Sequence, residues 1–469
     1  MKKYSVIIFL LFVLVNSSCK KYLDVNNDPN LVYNPPINSL LVNSTYQTGF
    51  NVYRLGNITS YYVQYLASPN SGSDRDTYKE EDLSVTWSAF YDVMTDIKEM
   101  MKLAAARGDN ASEHMGVAKI LLAWNLNMLI NSFGDVPYSQ ALLGKDFLTP
   151  TFDNQQALHD TTLRLIDEAI TELNKPTPLI RLDGSSDQIH HGDISAWLKT
   201  AYALKARFLN QLSKTDSYNA ITILSALSNA YTSSDDNATL TTFQGNSPWN
   251  QVARNNVNLL LDGWLSEQFV DALNGVTYGV ADPRIPLITN LTDEDIYKGT
   301  PNGQGRSGTG TNNEESVLTT SGFYSNSGAM LWLITFAEMK FIEAEAAFRN
   351  DDKTTAYAAY LEGINAHMEM LGVADTDRDT YVALATVSVG EAALTLDLIF
   401  KEKYVAMFLH PEAWTDARRY DYMYKDFTLP VNAALTSFIR RSPYPVIETS
   451  RNGANVPAVI LTTPLWWDQ

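Results

Sequence analysis

The sequence predicts a mainly α-helical body of stacked helix pairs carrying one long loop-rich insertion, and three observations support this. Apolar residues recur at three- and four-residue steps along most of the chain, which puts them on one face of a helix. These stretches come in neighbouring pairs separated by short polar or Gly-containing breaks. The longest stretch to lose the rhythm is residues 232–330. They are dense in Gly, Asn, Ser and Thr and interrupted by Pro248, Pro283, Pro286 and Pro301.

At the start of the chain, Lys2 and Lys3 precede an unbroken apolar run over residues 6–15, then Asn16-Ser17-Ser18 and Cys19. This is the pattern of a signal peptide over residues 1–18, and its apolar run is too short to span a bilayer. Cys19 is the single cysteine of the 469 residues, which excludes an internal disulfide and a thiolate zinc site. Its place directly after the run is where bacterial lipoprotein processing attaches a lipid, so Cys19 is read as the lipid-attachment residue. Residues 19–45, rich in Asn and Pro, read as an extended stalk, and residues 46–469 as a single domain. The next most apolar stretch, 117–133, is broken by Lys119, Asn125, Asn127 and Asn131 and reads as a core helix, so the chain is expected to be tethered to a membrane rather than embedded in it.

Residues 83–106 place Val85, Phe90, Val93, Met94, Ile97, Met101 and Ala104 on one helical face, ended by Arg107-Gly108-Asp109-Asn110. Residues 116–133 pair with 155–173, 194–212 with 218–231, and 331–348 with 355–371, and 391–409 begins a fourth pair. Trp197, Ala201, Leu204 and Phe208 alternate large and small on one face, which suits closely stacked antiparallel helices. The arrangement resembles tetratricopeptide packing without its fixed 34-residue period.

The 35 Lys+Arg against 53 Asp+Glu give a net charge of −18, which argues against a nucleic-acid ligand. Gly303-Gln304-Gly305-Arg306-Ser307-Gly308 fits G-x-G-x-x-G as a string, but neither a strand pattern before it nor a helix pattern after it supports a dinucleotide site. The six histidines, His114, His159, His190, His191, His367 and His410, lack metal-ligand spacing. Glu338 and Glu345 lie seven apart on one helix lined by Phe341, Ala344 and Phe348 and read as scaffold, as do Trp414, Asp416, Arg418 and Arg419, whose Arg–carboxylate pairing is expected to order the last loops. No catalytic residue, cofactor or metal is indicated.

Several ordered blocks resemble the SusD/RagB family of Bacteroidetes surface lipoproteins: CKKYLDVNNDPN after the cysteine, NSFGDVPYSQAL at 131–142, ISAWLKTAYALKARFLNQL at 194–212, then FAEMKFIEAEAAFRN, YAAYLEGINAHMEMLGV, IFKEKYVAMFLHPEAWTDARRYDY and RRSPYPVIETSRNGANVP. The resemblance implies non-enzymatic capture of nutrient oligosaccharides or polysaccharides at the outer membrane, facing the cell exterior, and delivery to a SusC-like TonB-dependent transporter. A peptide or other non-glycan cargo is the alternative, and a lipoprotein glycosidase or an adaptor without a small ligand ranks lower. A glycan offers apolar C–H faces and polar edges, so an aromatic plane with amide or carboxylate neighbours suits it. On that ground Trp249 in GNSPWNQ, Tyr278 in NGVTYGVADPR, Tyr324 in SGFYSNSG and Tyr61 in YYVQY are expected to contact ligand from loops.

Overall fold

The computed structural model describes residues 35–258, 260–309 and 313–469. Cys19, the signal segment and most of the expected stalk lie outside them. The end of that stalk differs from the extended reading, because helix α1 spans Ile37–Tyr62 and starts directly after Pro36. Pro35-Pro36 is where a helix can begin, since Pro at a helix start loses no intrahelical hydrogen bond.

Helices α2 (Ser84–Ala105), α3 (Ser112–Phe133), α4 (Gln155–Leu173), α5 (Ile194–Asn210) and α6 (Ala220–Leu227) follow, each packed on the one before it. Local chemistry starts several of them. Asn154 caps α4 by accepting from the Gln156 and Ala157 amides, Asp193 caps α5 and Asn219 caps α6. Helix α3 stops at Gly134, whose φ of 84° suits glycine. Trp197, Ala201, Leu204 and Phe208 are all fully buried, as the large–small alternation predicts. Val85, expected on the inner face of α2, is exposed instead. The asparagines that interrupt α3 are buried and paired: Asn125 with Asn51 and Thr48 of α1, Asn127 with Gln211, and Asn131 with Asn127 and the Trp467 indole.

Two short antiparallel ribbons and three helices then leave the stack. Strand β1 (Leu66–Ala67) pairs with β3 (Trp264–Leu265), and β2 (Ala238–Leu240) with β4 (Leu331–Ile334). Between them lie α7 (Pro248–Val257), α8 (Glu267–Asn274) and α9 (Ile285–Ile288). The expected insertion is therefore partly ordered secondary structure, and the expected helix over 331–348 begins as a strand. Pairing with β2 takes Leu331–Ile334, and the Thr335 hydroxyl, accepting from the Glu338 amide, starts the helix only there.

The stack resumes with α10 (Phe336–Arg349), which packs directly on α5 and α6 as though the insertion were absent, and continues into α11 (Lys353–Leu371), α12 (Asp375–Val382), α13 (Leu396–Ala406), α14 (Glu412–Arg419) and the short α15 (Val446–Arg451). Residues 391–409, expected as one helix, divide into a single turn at Glu391–Ala393 and α13.

Buried charges bind the stack. Arg207 of α5 meets Glu338 bidentately, with both bonds at 2.6 Å, and Arg419 of α14 bridges Glu345 and Asp416. Glu338 and Glu345 are thus scaffold groups. Arg418 lies 3.8 Å over Trp414 and donates to the carbonyls of Asn131 and Arg440, which fixes the final loops to α3. Among the described residues, no helix is long and apolar enough to cross a membrane.

Candidate functional site

The outward face of α1 carries Tyr46, Phe50, Tyr53, Asn57 and Tyr61, all partly exposed, at steps of three or four residues. Over that span a helix rises roughly 22 Å, so the stripe has the length of several sugar rings. Its opposite face is buried by close approach. A Cβ on Gly49 would lie 3.1 Å from Leu240, and one on Gly56 only 2.4 Å from the Leu409 carbonyl. Packing of α1 against the β2–β4 ribbon and α14 therefore fixes which residues face outward.

The rings form a continuous series. Tyr46 stacks on Phe50 at 5.9 Å, Phe50 meets Tyr53 at 5.4 Å, and Tyr53 meets Trp249 edge-on at 4.9 Å. Polar groups are interleaved. Arg54 lies 4.5 Å over Phe50 and donates to Gln47 and Asn51. Asn57 donates to the Tyr53 hydroxyl and accepts from Arg75, whose guanidinium also covers Tyr61 at 5.6 Å and is paired with Glu81. Burial, reinforced by the nearby Asp262 carboxylate, pushes the Tyr61 phenol up. For Tyr53 burial also raises the phenol, opposed by the Asn57 hydrogen bond and assisted by Asp262. Both therefore stay neutral donors at neutral pH.

The segment that delivers Arg75 is held by a buried carboxylate. Asp76 accepts from the Asn302 amide at 2.6 Å and from the Gly303 amide, and Gly72 in turn donates to the Gly303 carbonyl. Gly303 and Gly305 adopt φ near +80°, and a Cβ on either would strike backbone. The glycine motif is thus a structural clasp between loops.

The four expected ligand residues separate. Trp249 is not on a loop: it is the second residue of α7 and only 4% exposed. Tyr324 is 5% exposed and exchanges a 3.0 Å hydrogen bond with His367. Both line one apolar recess of about 30 Å³, with Tyr53 and Trp332, which is too small for a sugar ring. They are anchors beneath the face. Tyr61 lies on the face. Tyr278, partly exposed, lies apart, flanked by Lys401 at 4.9 Å and Lys425 at 5.8 Å. Tyr46, Phe50, Tyr53, Asn57 and Arg75 were missed by the sequence reading, although the helical spacing of 46, 50, 53, 57 and 61 marks the stripe. Among the described residues, no group of three or more His, Cys, Asp or Glu is placed to hold a metal ion.

A family model described as starch-binding, associating with the outer membrane (SusD-like), matches residues 29–445. The chain belongs to the SusD-like family. Solved structures agree on the fold of this SusD-like protein. A SusD/RagB family protein from Bacteroides thetaiotaomicron is 22% identical with a TM-score of 0.76, covering 93% of this chain and 99% of its own. A SusD homologue from Bacteroides fragilis is 21% identical, TM-score 0.76, covering 93% and 100%. A chitin-binding SusD homologue from Flavobacterium johnsoniae is 20% identical, TM-score 0.76, covering 92% and 98%. No curated protein sequence matches the chain.

Proposed function

We propose that this protein captures glycans without turning them over and delivers them to a SusC-like TonB-dependent transporter. The observation that carries the reading is the partly exposed α1 stripe, in which Tyr46, Phe50, Tyr53 and Tyr61 alternate with Arg54, Asn57 and Arg75. Rings stack on the C–H faces of sugars while the amide and guanidinium groups bond hydroxyls, and a linear series of them suits a chain rather than a single sugar. The family description names starch binding, and solved relatives include chitin-binding proteins. Lipid attachment at Cys19 and exposure at the outer surface of the outer membrane complete the proposal, in keeping with the family's association with that membrane.

Calorimetric titration of the chain against starch, chitin and plant oligosaccharides, with peptides alongside, tests it. Saturable heat with an oligosaccharide recovered intact is the expected result. Release of shorter products would replace capture by a glycosidase reading, and binding confined to peptides would change the cargo. Recovery of the transporter with the protein from membranes tests the delivery step.

A further inference from the structure

The two arginines of the stripe are held differently. Arg75 is committed, its Nε donating to the Glu81 carboxylate at 2.8 Å and its Nη1 to Asn57. Arg54 is partly exposed and makes no ion pair among the described residues; its two protein acceptors are neutral amides.

Those amides decide which edge of the guanidinium is left over. Both Nη1 protons are taken, by the Gln47 side-chain oxygen at 3.1 Å and the Asn51 side-chain oxygen at 2.6 Å. Asn51 is buried and cannot turn. Its NH2 donates to the Asn125 oxygen on α3, and the Asn125 NH2 is fixed in turn by the Thr48 hydroxyl and the Leu121 carbonyl, so the Asn51 oxygen faces Arg54. Phe50 lies beneath the guanidinium at 4.5 Å. The Nε and Nη2 edge accordingly makes no hydrogen bond among the described residues, and neither nitrogen is sealed from solvent. Along that edge Nε–H and one Nη2–H run parallel, at the spacing of the two oxygens of a carboxylate.

The electrostatics agree with the geometry. Burial pulls the Arg54 guanidinium down from its ordinary range, offset by Tyr46 and then Asp92. It keeps its charge at neutral pH, and a half-buried cation without a paired anion is one that an arriving carboxylate stabilises. Acidic side chains of this region are engaged or act at longer range: Asp96 accepts from Asn43, Asp262 accepts from Asn255 and the Gly263 amide, and Asp92 reaches Arg54 without pairing with it. The chain's net charge of −18 opposes an anionic ligand only weakly, because salt screens exposed charges beyond about 8 Å.

We propose that Arg54 is a specificity-determining residue that grips a carboxylate of the bound glycan through Nε and Nη2, so that the preferred cargo is an acidic, uronate-bearing oligosaccharide. The inference rests on the glycan reading of the α1 stripe and narrows it. Calorimetry on the intact chain at low salt tests it with oligogalacturonates, alginate oligosaccharides and glucuronoxylan oligosaccharides, each beside its methyl-esterified form, which keeps the backbone and removes the charge. Starch and chitin oligosaccharides serve as neutral references. At least one acid is expected to bind about tenfold more tightly than its own ester. Arg54→Gln should bring that ratio to about one, and Arg54→Lys, which keeps a point charge without the planar fork, should leave an intermediate ratio. Tyr53→Ala should weaken acid and ester alike and keep the ratio. Esters that bind as well as their acids, a neutral oligosaccharide that binds more tightly than every acid, or an acid-to-ester ratio unaltered in Arg54→Gln would each overturn the proposal, while saturable binding that needs Tyr53 would leave glycan capture standing. Absence of binding by every oligosaccharide would overturn both.

Discussion

Tyr53 and Trp249 meet edge to face, 4.9 Å apart and 81° between planes, although 196 positions separate them in the chain. The contact joins a stack helix to the first helix of the insertion, and the two rings divide the work. Trp249 is buried and holds α7, while Tyr53 is partly exposed and turns its remaining surface outward.

The two alanine variants are therefore expected to fail differently. Tyr53→Ala should reduce oligosaccharide affinity by about tenfold, since a stacking ring contributes roughly 0.5–1.5 kcal/mol beyond its buried area. Its loss of stability should be modest. Trp249→Ala should cost about 3–5 kcal/mol of folding stability through the cavity it leaves. Paired calorimetric titration and urea unfolding distinguish the cases, and a Trp249→Ala protein of unchanged stability that no longer binds would reverse the assignment.

Asp76 gives the clasp a pH dependence. Burial, against the Gly303 and Asn302 hydrogen bonds, pushes its carboxyl up to about 6 from 3.8. Between those two values the folded chain holds a proton that the unfolded chain has released. Stability from this group is therefore greatest below about pH 4, falls as pH rises toward 6 and is flat above it, by up to about 3 kcal/mol. Urea midpoints of the wild type and Asp76→Asn across that range give the contribution by difference. An identical pH profile in the two proteins would dismiss it.

Glu345 slopes the other way. Burial raises its carboxyl, but Arg419 and then Arg349 outweigh burial and hold it well below the usual carboxylate range. The unfolded group titrates near 4.5, so this stabilisation is complete above about pH 5 and is lost as pH falls through the acid range. Glu345→Gln leaves Arg419 buried with Asp416 as its remaining carboxylate partner. It should destabilise by about 3–5 kcal/mol at pH 7. Denaturant unfolding at pH 7 and pH 4 checks both the size and the narrowing of the gap on acidification.

The helix stack was legible because each of its helices carries its own signals: the face of α5 in Trp197, Ala201, Leu204 and Phe208, and the stop of α3 at Gly134. The asparagines of α3 look like defects in an apolar helix until their partners on α1, at Gln211 just after α5 and at Trp467 are seen, yet a run so interrupted still reads correctly as core. Other features were hidden by composition. Asn- and Pro-rich character over 19–45 concealed the start of α1, and the continuity of LWLITFAEMKF concealed a strand whose partner lies at 238–240. The stripe at 46, 50, 53, 57 and 61 is present in the helical period, but which face of α1 is exposed depends on the close packing of Gly49 and Gly56 against Leu240 and Leu409, which the local pattern does not show. What local pattern cannot supply is the arrival of Arg75 over Tyr61. That depends on Asp76 meeting Asn302, 226 positions away.

Gly56 is where the fold and the proposed ligand face constrain one another most directly. It lies on the buried side of α1, one residue before Asn57, and a Cβ there would lie 2.4 Å from the Leu409 carbonyl oxygen. Backbone cannot swing aside as a flexible side chain does, and Leu409 itself sits at φ 65°, so α1 has to move as a body. Gly56→Ala gains helix propensity of about 1 kcal/mol. It should nevertheless be destabilised overall by about 1–3 kcal/mol, because overpacking outweighs that gain. Displacing α1 shifts Tyr53 relative to Trp249 and Asn57 relative to Arg75, so oligosaccharide affinity should fall although no ligand-facing side chain has changed. Gly56→Ala with higher stability and unaltered affinity would show that α1 is not held by this contact.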